Sequence, residues 1–454
     1  MKKQFDAVVI GGGPGGYVAA IRLAQLGKKC ALIEKDYIGG TCLNRGCIPT
    51  KALLQSAEVY RTVREAATYG VTAGEAAFDY AKISARKTSV VEKLRRGIGA
   101  LEKKNGVEVI TGTASFKDAH TVTVGADEIE AKDFIIATGS APARVPIPGI
   151  DGPNVVDSDA VLSWTQCPKS VAIIGGGVIG IEFATLYAAL GVKVSVIEML
   201  PEILPPIDSE IAAIMRKELT KRGVDIFVGA KVEKIEPGVT VHFTQGEAKS
   251  VNAEFCIVAI GRRPVTDGLN LEATGVATNR GFVVVDEYLK TNVPNIYAIG
   301  DVTGKIQLAH VASAQGLVAA ANVAGGSKKM RYDIVPSCVY TEPEIASIGL
   351  TEAQAKEKGL SYKVGRFATA VNGRSMIMGE SAGTVKLIVE EKTGELLGCH
   401  IMAPRATDMI GEIATAMRAE GTIDELSDTI HAHPTVSEMI MEAAHDSQGH
   451  CVHQ

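Results

Sequence analysis

Two cysteines, Cys42 and Cys47, stand five positions apart in the stretch Gly39 to Lys51, G-G-T-C-L-N-R-G-C-I-P-T-K. Thiols at that spacing can do redox chemistry if the backbone brings them together. A disulfide needs Cα atoms within about 7 Å. Five steps of extended chain span about 17 Å, and five steps of ideal helix rise about 7.5 Å. A distorted first turn would close the gap, and Gly46 supplies the backbone freedom for it. Ala52 to Ala67 reads as helix, with Leu53, Leu54, Ala57 and Tyr60/Arg61 at helical intervals. Cys47 would then lie near a helix N-terminus, where the dipole favours a thiolate. If the helix begins at Cys47, Lys51 is one turn further on the same face. Taken alone, the stretch is equally consistent with two ordinary buried cysteines and a surface lysine.

The elements that must position these residues come just before them. Ala7 to Ile10 is an apolar run leading into Gly11-Gly12-Gly13-Pro14-Gly15-Gly16; a helix from Tyr17 to Leu26 and a strand from Cys30 to Ile33 follow, ending on Glu34. This is the dinucleotide fingerprint: Gly11 for the tight turn, Gly13 for approach of a pyrophosphate, Gly16 for helix–strand packing, Glu34 for ribose hydroxyls. The pattern returns 164 residues later with Gly175, Gly177, Gly180 and Glu198, and in both copies the acid lies 23 residues after the first glycine. Two fingerprints predict two nucleotide sites. Glu198 is followed by Met199, Leu200 and Pro201 with no nearby arginine, which favours NAD over NADP at the second site. The first site adjoins the cysteines. NAD alone does not readily reduce a disulfide, whereas a flavin exchanges electrons with both, so the first site is expected to take FAD.

Composition sets bounds on the rest. The chain has 454 residues, 46% hydrophobic and 22% charged, with a net charge of −5. This is an ordinary globular mixture for about three domains, with no basic footprint for nucleic acid and no long apolar run for a membrane span. The N-terminus enters a strand-like run at once, so no signal or transit segment is expected. Eight cysteines are too sparse for a secreted disulfide scaffold. They suit a reducing cytoplasm, where a disulfide tends to be catalytic.

Three further strands are expected to end in glycine turns, at Thr138-Gly139-Ser140, at Gly261-Arg262 and at Gly300-Asp301. Ligands bind at such strand ends in α/β sheets. Lys386 to Val389 and Leu396 to Met402 read as a hairpin, and Thr407 to Ala419 as a helix with Ile410, Ile413, Ala414 and Met417 on one face. In His431-Ala432-His433-Pro434-Thr435-Val436-Ser437-Glu438, Pro434 holds His433 extended. Thr435 and Glu438 could form a capping box, with His433 merely a satisfied histidine. A glutamate that caps fully is not expected to hold the imidazole as well.

Five stretches carry a family resemblance: Gly39 to Lys51, Gly175 to Glu182, Ala298 to Asp301, Pro336 to Gly349 and His431 to Glu438. The chain resembles the dihydrolipoamide dehydrogenases, within the flavin-dependent pyridine nucleotide–disulfide oxidoreductases, from about Phe5 to about Ala444. The resemblance implies an α/β fold with two Rossmann-like FAD/NAD(P)-binding domains and a C-terminal α+β dimerisation domain. The implied boundaries are 1–150 for FAD, 151–265 for NAD, 266–334 for a central domain completing the FAD domain, and 335–454 for the interface.

The implied activity is oxidation of a protein-bound dihydrolipoyl group by NAD⁺. By resemblance Cys42 is the interchange thiol, Cys47 the thiol facing the flavin, and Lys51 with Glu182 an ion pair beside it. His433 would be the acid–base, oriented by Glu438 and reaching the disulfide of the other subunit of a homodimer. Further FAD contacts fall on Thr41, Ala114, Thr138, Gly139, Ser140, Asp301 and Ala309, and further NAD contacts on Val232 and Gly261. No metal is implied. The implied partners are a lipoyl domain of an acyltransferase (E2) or the glycine cleavage H protein.

Two features depart from the pattern. Gln315 stands where an acid is usual, and the tail His445 to Gln454 carries His450, Cys451 and His453, read as a disordered or subunit-covering tail, with a metal site as the lesser alternative. Glutathione-type reductases share the cysteine and histidine motifs but usually take NADPH, which Glu198 opposes. Mercuric reductases carry a vicinal cysteine pair at the tail, and Cys451 is single. A flavin-binding structural subunit would not need Cys42, Cys47, Lys51, His433 and Glu438 together.

Overall fold

The computed structural model describes residues 2–453. Strand β1 (Lys2–Ile10), helix α1 (Pro14–Gln25) and strand β2 (Cys30–Glu34) form the first fingerprint. β1 begins five residues before the apolar run because Lys2 to Phe5 pair with Glu128 to Ala131, a long-range partner that fixes even polar residues in the strand. The sheet runs in the order 108–111, β2, β1, 127–136, 121–124, 114–118, and residues 296–298 pair with the far half of 127–136. β1 is parallel to both neighbours, in the register Ala7↔Cys30 and Val8↔Phe134. Ala7 to Val9 are wholly buried, as expected of parallel strands covered on both faces. One core gathers side chains from residues 5–136 with others from 269–323, so the sheet is completed by chain that returns after the second nucleotide fold.

The second sheet is fully parallel, in the order 225–227, 193–197, 170–174, 255–258, 155–157. Helix Val178–Ala189 occupies the place that α1 has in the first copy. A three-stranded antiparallel sheet of residues 231–236, 240–245 and 247–252 lies beside it. The C-terminal part is a five-stranded antiparallel sheet in the order 337–339, 344–349, 396–403, 384–390, 362–368. The expected hairpin is there, as Thr384–Glu390 and Leu396–Ala403. The expected helix is Ala406–Arg418, with Ile410 and Ile413 buried in the third core and Ala414 and Met417 packed against it.

Between the first fingerprint and the long helix Tyr80–Lys104 come α2 (Gly40–Arg45) and α3 (Cys47–Arg64). α3 starts at Cys47, five residues before the apolar periodicity. Pro49 is tolerated there because first-turn amides have no intrahelical partner. The helix stops at Arg64, and Ala66–Tyr69 is a separate 3₁₀ turn. Leu53 and Ala57 are buried against Ile181, Phe183 and Ala184 of helix Val178–Ala189 in a shared core, which brings the cysteine helix onto the second nucleotide fold. Among the described residues no helix is long and apolar enough to cross a membrane.

Candidate active site

Cys42 sits in α2 and Cys47 opens α3. The turn between them is tight: a Cβ on Gly46 would lie 3.0 Å from the Thr41 carbonyl oxygen and 3.4 Å from the Cys42 Cα. Both cysteines are free thiols, and their side chains are hydrogen-bonded to each other. The Cys42 contact, ahead of the Lys51 charge and against the cost of burial, lowers the Cys47 pKa to about 7, while the same contact and burial push Cys42 up. Cys47 is therefore the more readily ionised thiol of the pair.

One helical turn on, the Lys51 Nζ lies 2.8 Å from both carboxylate oxygens of Glu182. Glu182 is almost fully buried on helix Val178–Ala189. A third group holds it: the Tyr340 N–H donates to its Oε1 at 3.0 Å, while the Tyr340 ring lies under the Lys51 ammonium, 4.6 Å away. Tyr340 belongs to the stretch Pro336 to Gly349, but nothing in its local pattern told of this contact.

The two fingerprints are built alike. Gly11 and Gly175 have φ of +107° and +106°. Their Cβ positions would fall 2.3 and 2.4 Å from the carbonyl oxygens of Ala137 and Ala259, so only glycine fits. A Cβ on Gly16 or Gly180 would strike the Gly11 or Gly175 oxygen at 1.8 or 2.0 Å, the close helix–strand contact expected. Gly177 faces open space, with nothing within 4 Å of a Cβ there, whereas Gly13 has the Gly40 backbone beside it, 4.0 Å from where its Cβ would be. Each acid divides its oxygens between backbone amides. Glu34 accepts from the Gly12 N–H at 2.6 Å and the Asp36 N–H at 2.8 Å; Glu198 accepts from Gly176 at 2.6 Å and Leu200 at 2.7 Å.

The strand-end residues converge on the first fingerprint. Ser140 Oγ donates to Asp301 Oδ2 at 2.5 Å and accepts from Arg262 Nε at 2.7 Å. Arg262 was not among the sequence candidates, though it follows Gly261 directly. The Thr138 hydroxyl is buried with no hydrogen-bond partner. Ala309 opens the helix Ala309–Val323, which packs so closely on α1 that a Cβ on Gly316 would lie 2.5 Å from the Gly15 oxygen. Ala114 and Val232 occupy matching places: Gly112 and Ala230, two residues before each, donate their N–H groups to the Glu34 and Glu198 carbonyls at 2.9 and 2.8 Å. Gln315 is fully buried, accepting from the Gly300 N–H at 2.6 Å and donating to the Tyr332 hydroxyl at 2.8 Å. The amide fills the site's hydrogen-bonding demand without a charge.

His433 and Glu438 form the remaining part. His433 Nδ1 is 2.8 Å from Glu438 Oε1, and Glu438 Oε2 accepts from the Thr435 N–H at 2.7 Å. The two roles are shared as expected, each in part: one carboxylate oxygen takes the imidazole and the other the Thr435 N–H. There is no full capping box, because the Thr435 hydroxyl is buried without a partner and the helix begins only at Glu438. The His433–Pro434 peptide is cis. The His433 side chain is 80% exposed in the protomer and is not in contact with its own cysteines among the bonds described.

The tail is folded back, not loose. His453 Nδ1 is 2.6 Å from Glu442 Oε1 and the Cys451 thiol donates to Glu442 Oε2 at 3.4 Å. No cluster of metal-ligating side chains occurs among the described residues, and Gln454 lies outside them.

Comparison with known proteins settles the family. Residues 5–316 match the pyridine nucleotide-disulphide oxidoreductases, and residues 335–444 match the dimerisation domain of the same group. The chain belongs to the pyridine nucleotide-disulphide oxidoreductase family. Its relatives include a dihydrolipoyl dehydrogenase of Bacillus subtilis, 42% identical with all of both chains covered, and one of Geobacillus stearothermophilus, 43% identical over 99% of this chain and 97% of that one. Among solved structures it is similar to LpdA from Mycobacterium tuberculosis, with a TM-score of 0.89, 29% identity, and 97% of this chain and 99% of that chain covered. It is also similar to the HOCl-induced flavoprotein disulfide reductase RclA from Escherichia coli, with a TM-score of 0.87, 34% identity, and 96% and 98% coverage.

Enzymes of this oxidoreductase family use FAD and NAD(H), and the dimerisation domain supports a homodimer. The residues present fit both cofactors. Gly177 is open on its Cβ side and no atom comes closer than 4.0 Å to that side of Gly13, and the Thr138 hydroxyl, beside the first glycine turn, is left with a hydrogen bond to make.

Proposed function

We propose that the chain is a dihydrolipoyl dehydrogenase, oxidising a protein-bound dihydrolipoyl group with NAD⁺ through Cys42 and Cys47. The observation that carries this is the Lys51–Glu182 pair. It joins the helix that bears the sulfurs to the helix of the second nucleotide fold, so sulfur chemistry and nicotinamide chemistry share one place. The full-length relatives named dihydrolipoyl dehydrogenase support the choice of substrate.

Gly11, Gly13, Gly16, Glu34, Thr138, Ser140 and Asp301 would hold FAD; Gly175, Gly177, Gly180 and Glu198 would hold NAD. The bound flavin supplies two-electron exchange between a thiol pair and a nicotinamide. The chain's own residues handle sulfur and protons. Glu438 accepts from His433 Nδ1–H, which leaves the Nε2 lone pair free to take a proton from one substrate thiol. The resulting thiolate attacks Cys42 in the oxidised pair, and Cys47 leaves as a thiolate. The second substrate sulfur then displaces Cys42, which recovers a proton. One S–S bond is broken in the enzyme and one is made in the lipoyl group. The product is the dithiol arrangement described above, with the charge on Cys47 held by Cys42 and Lys51.

In the homodimer His433 is proposed to serve the cysteines of the other subunit, which accounts for its exposure in the protomer. The proposed partners are the lipoyl domain of an acyltransferase (E2) in a 2-oxo acid dehydrogenase complex, or the glycine cleavage H protein, and the proposed location is the cytoplasm. Eight free thiols suit that compartment. Assay of NADH formation from free dihydrolipoamide tests the activity. Turnover with NAD⁺ is expected; turnover confined to NADPH and glutathione disulfide would replace this reading with a glutathione-type reductase.

A further inference from the structure

The loop that carries His433 is fastened at both ends. On the C-terminal side Glu438 holds the Thr435 N–H, and Asn372 Nδ2 donates to the Thr435 carbonyl at 3.1 Å. On the N-terminal side the fastening is a second histidine. His431 Nε2 is 2.8 Å from Glu412 Oε1 on helix Ala406–Arg418, and its Nδ1 is 3.0 Å from the Thr429 carbonyl. Its side chain is only 6% exposed, against 80% for His433 two residues later. The two imidazoles therefore do different work: one is packed and doubly bonded, the other is offered outward.

We propose that His431, clamped between Glu412 and the Thr429 carbonyl, is a positioning residue that sets where His433 projects. The inference rests on the acid–base role proposed above for His433. A carbonyl and a carboxylate can only accept. An imidazole that meets both must donate from both nitrogens, so the clamp is complete only in the imidazolium form. Glu412 favours that form, and burial opposes it with less effect, so the His431 pKa is raised. The charged groups that act on the ring are acidic, Glu412 on helix Ala406–Arg418 and Glu438 on the last helix, while Glu425 on helix Ile423–Asp428 lines the same cavity with its Oε2 bonded to Thr422. The buried Cys399 thiol on the neighbouring strand, next to Glu412, has its pKa pushed up by burial and stays neutral. With the clamp intact, the chain between Thr429 and Glu438 has fixed points on either side of His433. Without it, the nearest fixed point on the N-terminal side recedes to Thr429, whose hydroxyl donates to the Glu425 carbonyl.

The test separates the two half-reactions in the flavin-loaded dimer, for His431→Leu, His431→Gln and Glu412→Ala. Misplacement of a catalytic group by about 1 Å can cost a factor of about 10². Reduction by dihydrolipoamide is expected to fall about 10- to 100-fold in His431→Leu and less in His431→Gln, whose amide can still reach Glu412. Reduction by NADH is expected to be unchanged, and sedimentation should show a dimer throughout. An unchanged dihydrolipoamide rate overturns the proposal. So does an equal fall in both half-reactions, or loss of the dimer, since either makes the residue structural. If His431→Leu does not fold, the other two variants are read in the same way. Ring ¹⁵N signals of His431 in the unmodified enzyme should report two protonated nitrogens below neutrality; one protonated nitrogen contradicts the clamp. Failure of the parent reading is distinct, because the unmodified enzyme would then not react with dihydrolipoamide at all.

Discussion

The Lys51 ammonium is equidistant from both oxygens of Glu182, at 2.8 Å each, although the two residues are 131 positions apart. Glu182 is the buried partner and Lys51 the more accessible one, with side chains 4% and 28% exposed. Glu182→Gln is therefore expected to cost stability, because Lys51 is left in a partly buried place without its counter-charge. The loss should be about 1–3 kcal/mol, less than for a wholly buried pair. Thermal unfolding of the two proteins measures it, and an unchanged midpoint would show the pair to be worth no more than a surface bridge.

The same lysine bears on the thiols. Cys47 is lowered to about 7, first by the hydrogen bond with Cys42 and also by Lys51, against burial. A lowered pKa means that the thiolate is present above that value and lost below it. Alkylation of the reduced enzyme by iodoacetamide should rise with pH through about 7 and then level off. Lys51→Met and Cys42→Ala should both move that rise to higher pH. In Cys47→Ser the long-wavelength absorbance of the two-electron-reduced enzyme should vanish; a surviving band would assign the flavin-facing role to the wrong sulfur.

His433→Gln is expected to slow reduction by dihydrolipoamide by about 10²–10⁴ and to leave reduction by NADH intact. Glu438→Gln should do less, since its amide oxygen can still accept from Nδ1. If both half-reactions slowed together in His433→Gln, the base would have to be sought elsewhere.

Glu198 accepts two backbone N–H groups in addition to any ribose hydroxyl. Glu198→Ala strands both donors and removes the ribose contact, so the KM for NAD⁺ is expected to rise about 10-fold or more. Unmodified enzyme should discriminate against NADP⁺. Equal KM values for the two nucleotides would refute the assigned role.

Much of this could be read from residue order alone, and what could not has a common cause. The fingerprints were legible because Gly11, Gly16 and Glu34 act over short distances within one βαβ unit, and the second copy repeats them. Helix α3 starts at Cys47, the earlier of the two starts left open by the sequence, because periodicity marks only the buried face from Leu53 on and the first turn through Pro49 carries no such stripe. Tyr340, Arg262 and His431 escaped because each matters through a partner far off in sequence. The partial sharing at Glu438 was legible because the imidazole and the Thr435 N–H lie within five residues of the carboxylate that takes both.

That last arrangement ties enzymology to local thermodynamics. Glu438 both opens the final helix and grips the imidazole, so fraying of a single turn releases the base while the nucleotide folds are intact. Heat should therefore silence lipoyl chemistry at a lower temperature than it releases bound flavin, and flavin fluorescence followed beside activity along one thermal ramp would resolve the two events. Coincident losses would mean that this corner of the protein melts only with the whole.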